Sequence, residues 1–116
     1  LKVIVSPSSV GIVAAAQAVK DQGKIGKVYV TGLGLPSEMA GAIKSGASKS
    51  FAIWNPIDLG YAATYLADDL VKGTATKTEA SMGKLGKVKL DAEGNGAMAK
   101  PFVYDASNID KFSKIF

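Results

Sequence analysis

Lys27-Val28-Tyr29-Val30-Thr31, followed at once by Gly32-Leu33-Gly34-Leu35-Pro36-Ser37, is the stretch that decides the fold. Its valines, tyrosine and threonine favour a strand, and the glycines beyond turn the chain out of it. Pro36 suits the first helical position, Met39, Ala40 and Ile43 carry apolar spacing along a helix, and Gly46 supplies the exit. The unit is strand, turn, helix. Upstream the order recurs: Leu1 to Val5 reads as a β-branched strand, Ser6-Pro7-Ser8-Ser9 as a turn, and Val10 to Gln22 as a helix stopping at Gly23. Downstream it recurs again. Phe51 to Trp54 is a strand, Asn55 an N-cap and Pro56 the first helical residue, with Asp58 near the positive end of the helix dipole. Ile57, Tyr61, Tyr65, Leu66 and Leu70 extend that helix to Gly73.

Strand-helix units in series need crossover connections, which make neighbouring strands parallel and almost always run right-handed. The expected class is α/β, a Rossmann-like parallel sheet with flanking helices. Beyond Gly73 the regularity lapses. Thr74 to Ser81 is polar, Gly83 to Leu90 reads as a short strand, Asp91 to Gly96 as a turn and Pro101 to Tyr104 as a further strand. Ser107 or Asn108 caps a short final helix carrying Phe112, with Ile115 and Phe116 behind it.

At 116 residues the chain is one domain at most, and 47% hydrophobic content suits a core. A chain this short buries only about 60–68% of its unfolded surface, so modest stability is expected. All 14 basic residues are lysine against 10 acidic ones, giving a formal charge of +4. Without arginine the forked contacts to bases and phosphates are missing, and the lysines form no run, so no nucleic-acid partner is expected. His and Cys are also absent. That removes the usual zinc and copper ligands, the Ser-His and Cys-His nucleophile pairs and the imidazole switch, so no metal, cofactor or catalysis is expected. Lack of cysteine leaves the redox compartment open. The longest apolar stretch, Val10 to Val19, is interrupted by Gly11 and Gln17 and falls short of the ~20 residues of a membrane span, so no membrane insertion is expected. The chain enters directly as a strand, without initiator Met or leader, as a piece of a longer chain would.

Ligands of open α/β sheets bind beyond the carboxyl ends of the strands. Here those ends are Ser6-Pro7-Ser8-Ser9, Thr31 to Leu35 and Trp54-Asn55-Pro56, and none carries a charge. Hydroxyls, an amide, free backbone groups and one indole face suit a neutral polyhydroxylated ligand such as a small sugar. Each element also has a purely structural reading. Trp54 can be a core residue, Asn55 is explained by capping alone, and the serines by a turn plus a cap. Their joint placement on successive strand ends is what favours a ligand. Gly32 and Gly34 share part of the dinucleotide fingerprint, but Ser37 replaces its third glycine and Trp54 stands where an acidic residue would end the next strand. Tyr61, Tyr65, Asp68 and Asp69 share one helix as core aromatics and solvated acids, and adjacent carboxylates there point apart.

Val3-Ile4-Val5-Ser6-Pro7-Ser8-Ser9-Val10-Gly11, Ala14 to Val19, Val30 to Pro36, Phe51-Ala52-Ile53-Trp54-Asn55-Pro56 and Ser107 to Phe112 resemble the C-terminal part of type I periplasmic sugar-binding proteins, rhamnose-binding and autoinducer-2-binding members above all. The resemblance implies two Rossmann-like lobes closing on a sugar, a membrane permease of an ABC importer as partner, and a periplasmic location. Residues 1–116 would form part of the C-terminal lobe. It further implies ligand contacts from Pro7 and Ser9 in the first turn and from Trp54 at the third strand end, to which the strand-end reading adds Ser8, Gly34 and Asn55. Gly34 falls where ribose-type members carry an aspartate, which argues against ribose. The alternative is the effector-binding core of a LacI-like transcriptional regulator, which shares the fold; an enzyme is disfavoured because no strand end offers an acid, base or metal ligand.

Overall fold

Val30 sits at the centre of a parallel pair whose neighbours alternate in and out of the core, as period-two side chains must. The structure, a computed structural model describing residues 1–116, runs β1 (Val3–Ser6), α1 (Ser9–Asp21), β2 (Tyr29–Gly32), α2 (Pro36–Ser45), β3 (Ser50–Ile53), α3 (Pro56–Lys72), β4 (Glu79–Ser81), β5 (Lys87–Lys89), β6 (Phe102–Asp105) and α4 (Ile109–Phe112). It divides into a first unit, Leu1–Ile53 with Phe102–Phe116, and a second, Trp54–Pro101.

In the first unit β1 and β2 are parallel, with Val3 opposite Tyr29 and Ser6 opposite Gly32. β3 joins them through one parallel bridge, Leu33 to Ala52, and the Thr31 hydroxyl donates to the Ser50 carbonyl at 2.7 Å. Ile12, Ala16 and Val19 of α1 and Met39 and Ile43 of α2 recur at helical spacing and share one core with Val30, Phe51, Tyr104 and Ile109. These helices therefore cover the same face of the strands. Burying each large side chain fully contributes about 1.5–3 kcal/mol. Val3 and Val5 alternate onto the other face and stay exposed. Gly46 ends α2 in the left-handed region at φ +81°, its N–H donating to the Ile43 carbonyl, as a C-terminal glycine should.

The last strand departs from the parallel expectation. β6 runs antiparallel to β3, Ser50 opposite Asp105 and Ile53 opposite Phe102. No crossover helix precedes it, so nothing forces the parallel sense. Asn108 occupies the N-cap position of α4 without capping it by its side chain. Instead its Oδ1 accepts from the Asp105 N–H and its Nδ2 donates to the Val103 carbonyl, each at 3.1 Å, so it fastens the turn between strand and helix.

In the second unit α3 packs on the antiparallel pair β4–β5, with Ala62, Ala80, Met82 and Val88 as the small core. The expected strand Gly83 to Leu90 is shorter than its composition suggests. Gly83 and Gly86 take φ of +59° and +93°, making a 3-10 turn over Gly83–Leu85 and leaving only Lys87–Lys89 extended. Asp69 ties the helix to β4: its carboxylate accepts from the Ser81 N–H at 2.6 Å and the Thr74 hydroxyl at 2.8 Å. The Ser81 bond first, then the Thr74 bond, hold this carboxyl below its ordinary range. No helix is long and apolar enough to cross a membrane.

Candidate functional site

The corner after β1 is built from two serines with different tasks. Ser6 is buried, and its hydroxyl donates to the Ser8 carbonyl at 3.1 Å. Ser8, in extended backbone, accepts from the Gly11 N–H at 3.0 Å and so caps α1. Gly11 is needed there, because a Cβ would lie 2.6 Å from Ser6 Oγ. Pro7 and Ser8 remain exposed and Ser9 half-buried. The first turn of α1 holds no acidic residue, so its orphan N–H groups present an uncompensated positive dipole end to whatever lies at this corner.

Beside it runs the end of β2. The Leu33 N–H donates to the Ser6 carbonyl at 2.9 Å, which brings Pro7, Ser8 and Ser9 onto the same strand-end rim as Gly34. Gly34 contributes backbone only. Its N–H donates to the Ala52 carbonyl, and a Cβ would sit 3.0–3.3 Å from Met39, Ile12 and Phe51, so a side chain at this position would be directed into the core. Tight packing alone accounts for a glycine here.

Trp54 and Asn55 belong to the second unit. Trp54 is 39% exposed and its indole N–H donates to the Ala99 carbonyl at 2.6 Å. With its donor spent, the ring offers a ligand only its face. That ring borders a groove of about 260 Å³ shared with Leu59, Gly96, Ala97 and Met98. Asn55 uses both ends of its amide locally: Oδ1 accepts from the Ile57 N–H at 3.0 Å, and Nδ2 donates to Asp58 at 3.1 Å. Asn55→Ala is expected to cost about 1 kcal/mol through loss of the cap, read as a lower urea midpoint at unchanged slope. A midpoint unchanged within error would show that the cap is not what holds α3.

Sequence reasoning missed three residues that shape these corners. Ser6 looks like any turn serine yet is buried; Gly32 lies against the Ser6 backbone; and Ala99 holds the indole from 45 residues along the chain. The Gly32-Leu33-Gly34 spacing signals the second of these, whereas nothing local signals the first or third.

Residues 1–75 match the family described as "Periplasmic binding protein domain". The chain belongs to this family. Solved structures of periplasmic binding proteins align over nearly all of it. A sugar ABC transporter protein from Actinomyces odontolyticus is 38% identical, with a TM-score of 0.76 over 97% of this chain and 37% of its own. An ABC transporter solute binding protein from Clostridium phytofermentas with bound L-rhamnose is also 38% identical, with a TM-score of 0.83 over 100% of this chain and 41% of its own. LsrB from Clostridium saccharobutylicum in complex with AI-2 is 17% identical at a TM-score of 0.77, covering 97% of this chain and 40% of its own, and shows the fold alone. The chain thus spans about two fifths of the length of these relatives. Its parallel strands and flanking helices are those of the type I periplasmic binding proteins.

Proposed function

We propose that the chain is part of the solute-binding component of an ABC sugar importer, residues 1–116 forming part of the C-terminal lobe of a two-lobe periplasmic protein. Its ligand is a neutral sugar of the L-rhamnose kind, or a furanosyl compound like AI-2, held in the cleft between lobes and handed to a membrane permease. The observation that carries this reading is the alignment of the whole chain, at 38% identity and a TM-score of 0.83, with a solute binding protein that holds L-rhamnose. The chemistry of the strand ends supports it. Ser8 and Ser9 offer hydroxyls, Pro7 and Gly34 backbone groups and Trp54 an indole face for C–H surface, whereas the Asn55 amide is already committed to Ile57 and Asp58. Such a protein binds and releases without catalysis.

Calorimetry with L-rhamnose on the full-length protein that contains this chain tests the reading. Saturable one-to-one binding is the expected result; failure to bind any neutral sugar overturns it. A ligand site normally buries about 70–90% of its occupant, so the isolated 116-residue chain is expected to bind at least about tenfold more weakly. Equal affinity for the chain alone would refute the two-lobe account while leaving sugar binding intact.

A further inference from the structure

Charge is unevenly placed along the fold. The first unit carries eight lysines and four acidic residues and the second six of each, so the whole formal charge of +4 belongs to the first. Half of its lysines gather at one end. β1, β2 and β3 run parallel, so their amino ends share one pole of the unit, opposite the rim that carries Pro7, Ser8, Ser9 and Gly34. α1 returns to this pole with Lys20 in its last turn. The Lys27 and Val28 N–H groups both donate to the Lys24 carbonyl at 2.9 Å, folding Lys24 and Lys27 into one tight turn before β2. Lys49 precedes β3. Its ammonium lies 4.3 Å from the centre of the Tyr29 ring, whose hydroxyl donates to the Gly26 carbonyl of that turn.

These four lysines are exposed, and none forms an ion pair. The acidic groups at this end are engaged: Asp21 accepts from the Gln17 amide at 2.7 Å, Asp105 from the Ser107 N–H and hydroxyl, and Asp110 pairs with Lys44. The helix dipole accounts for Lys20. Nothing in the fold requires a cation at position 24 or 27, and converging like charges oppose the compact state. Between those two lysines Ile25 is 37% exposed.

We infer that this pole is a docking surface for an anionic lipid bilayer, which it meets without spanning it. Lysines without arginine suit a diffuse surface potential better than the forked gripping of single phosphates. An exposed isoleucine among them reaches the boundary of the acyl chains, a contact that a nucleic acid or an acidic polymer does not supply. On the two-lobe reading, closure takes place at the carboxyl ends of the strands, so the pole stays uncovered in the full-length protein and docking leaves the sugar rim open to solutes.

Cosedimentation of the full-length protein with vesicles tests this. At about 0.05 M salt it binds vesicles of about 30% phosphatidylglycerol but not pure phosphatidylcholine, and about 0.5 M salt releases it by screening. Each lysine near such a surface contributes about fivefold, so Lys24→Glu combined with Lys27→Glu weakens binding at least about tenfold. Lys77→Glu combined with Lys89→Glu, in the second unit, alters net charge equally and leaves binding within about twofold of the parent. Ile25→Ser weakens it about threefold. Unchanged thermal unfolding of each variant shows that the fold is intact. Failure to bind the anionic vesicles overturns the inference, as does binding that survives reversal of Lys24 and Lys27. Equal loss from the two reversed pairs also overturns it, because net charge alone would then drive adsorption. An Ile25→Ser protein that binds like the parent would make the partner a soluble polyanion and refute the lipid assignment.

Discussion

Gly32→Ala is expected to destabilise the chain by roughly 3 kcal/mol or more, lowering the unfolding temperature by on the order of 10 °C. Gly32 takes φ +132°, and a Cβ built there would lie 1.9 Å from the Ser6 carbonyl oxygen and within 3 Å of two further Ser6 backbone atoms. The obstacle is backbone, which cannot rotate aside as a side-chain tip can. Relief requires β1 and β2 to part at their carboxyl ends, where the Leu33 N–H meets the Ser6 carbonyl at 2.9 Å. A small domain has only about 5–15 kcal/mol in hand, so one substitution would consume a large share of it. The same movement would displace Pro7 and Ser8, two of the proposed sugar contacts, from Gly34. Urea titration followed by circular dichroism checks the energy. A midpoint within error of the parent would mean that the strands tolerate a methyl group, and the close approach would lose its significance.

Elements with local signals were legible in the sequence; those defined by distant partners were not. Ser8, Pro36, Asn55 and Pro56 mark helix starts and Gly46 and Gly73 mark ends through bonds that span a few residues, so α1, α2 and α3 lie within a residue or two of their expected bounds. β4 was invisible. Glu79-Ala80-Ser81 has no strand-like composition, and its position comes from pairing with β5 and from Asp69, 12 residues before Ser81. The antiparallel sense of β6 was equally hidden, because composition reports that a segment is extended and says nothing of its neighbour's direction.

The candidate site divides the same way. Absence of charge at the strand ends is a property of composition, and it reads directly. What each group can still offer a ligand depends on bonds made elsewhere: the Trp54 donor is taken by Ala99, the Asn55 amide by Ile57 and Asp58, and the Gly34 Cβ direction by core atoms. These commitments leave the indole face in the second unit free and, in the first, backbone groups and the serine hydroxyls.

Tyr104→Ala should cost about 3–5 kcal/mol, in the range for removing a buried aromatic, and should be the most damaging side-chain truncation in the first unit. Tyr104 is 2% exposed and stands at the centre of an aromatic cluster: Phe51 stacks on it with ring centroids 5.4 Å apart, Phe102 tilts against it at 5.0 Å, and Phe112 and Phe116 meet it edge-on at 5.3 and 6.3 Å. Offset and edge-to-face pairs each add about 0.5–1.5 kcal/mol beyond the area they bury. The cluster joins β3, β6 and the C-terminal segment and shares its core with α1 and α2, so several elements would have to move together to close the cavity. Tyr104→Phe separates ring from hydroxyl. Burial pushes the phenol's pKa up, as expected for a group held neutral by its surroundings, and removing that hydroxyl should change stability by no more than about 1 kcal/mol. Comparing the urea midpoints of both variants decides the point. If Tyr104→Phe proved as costly as Tyr104→Ala, the polar atom would be what holds β6, and the aromatic packing would be secondary.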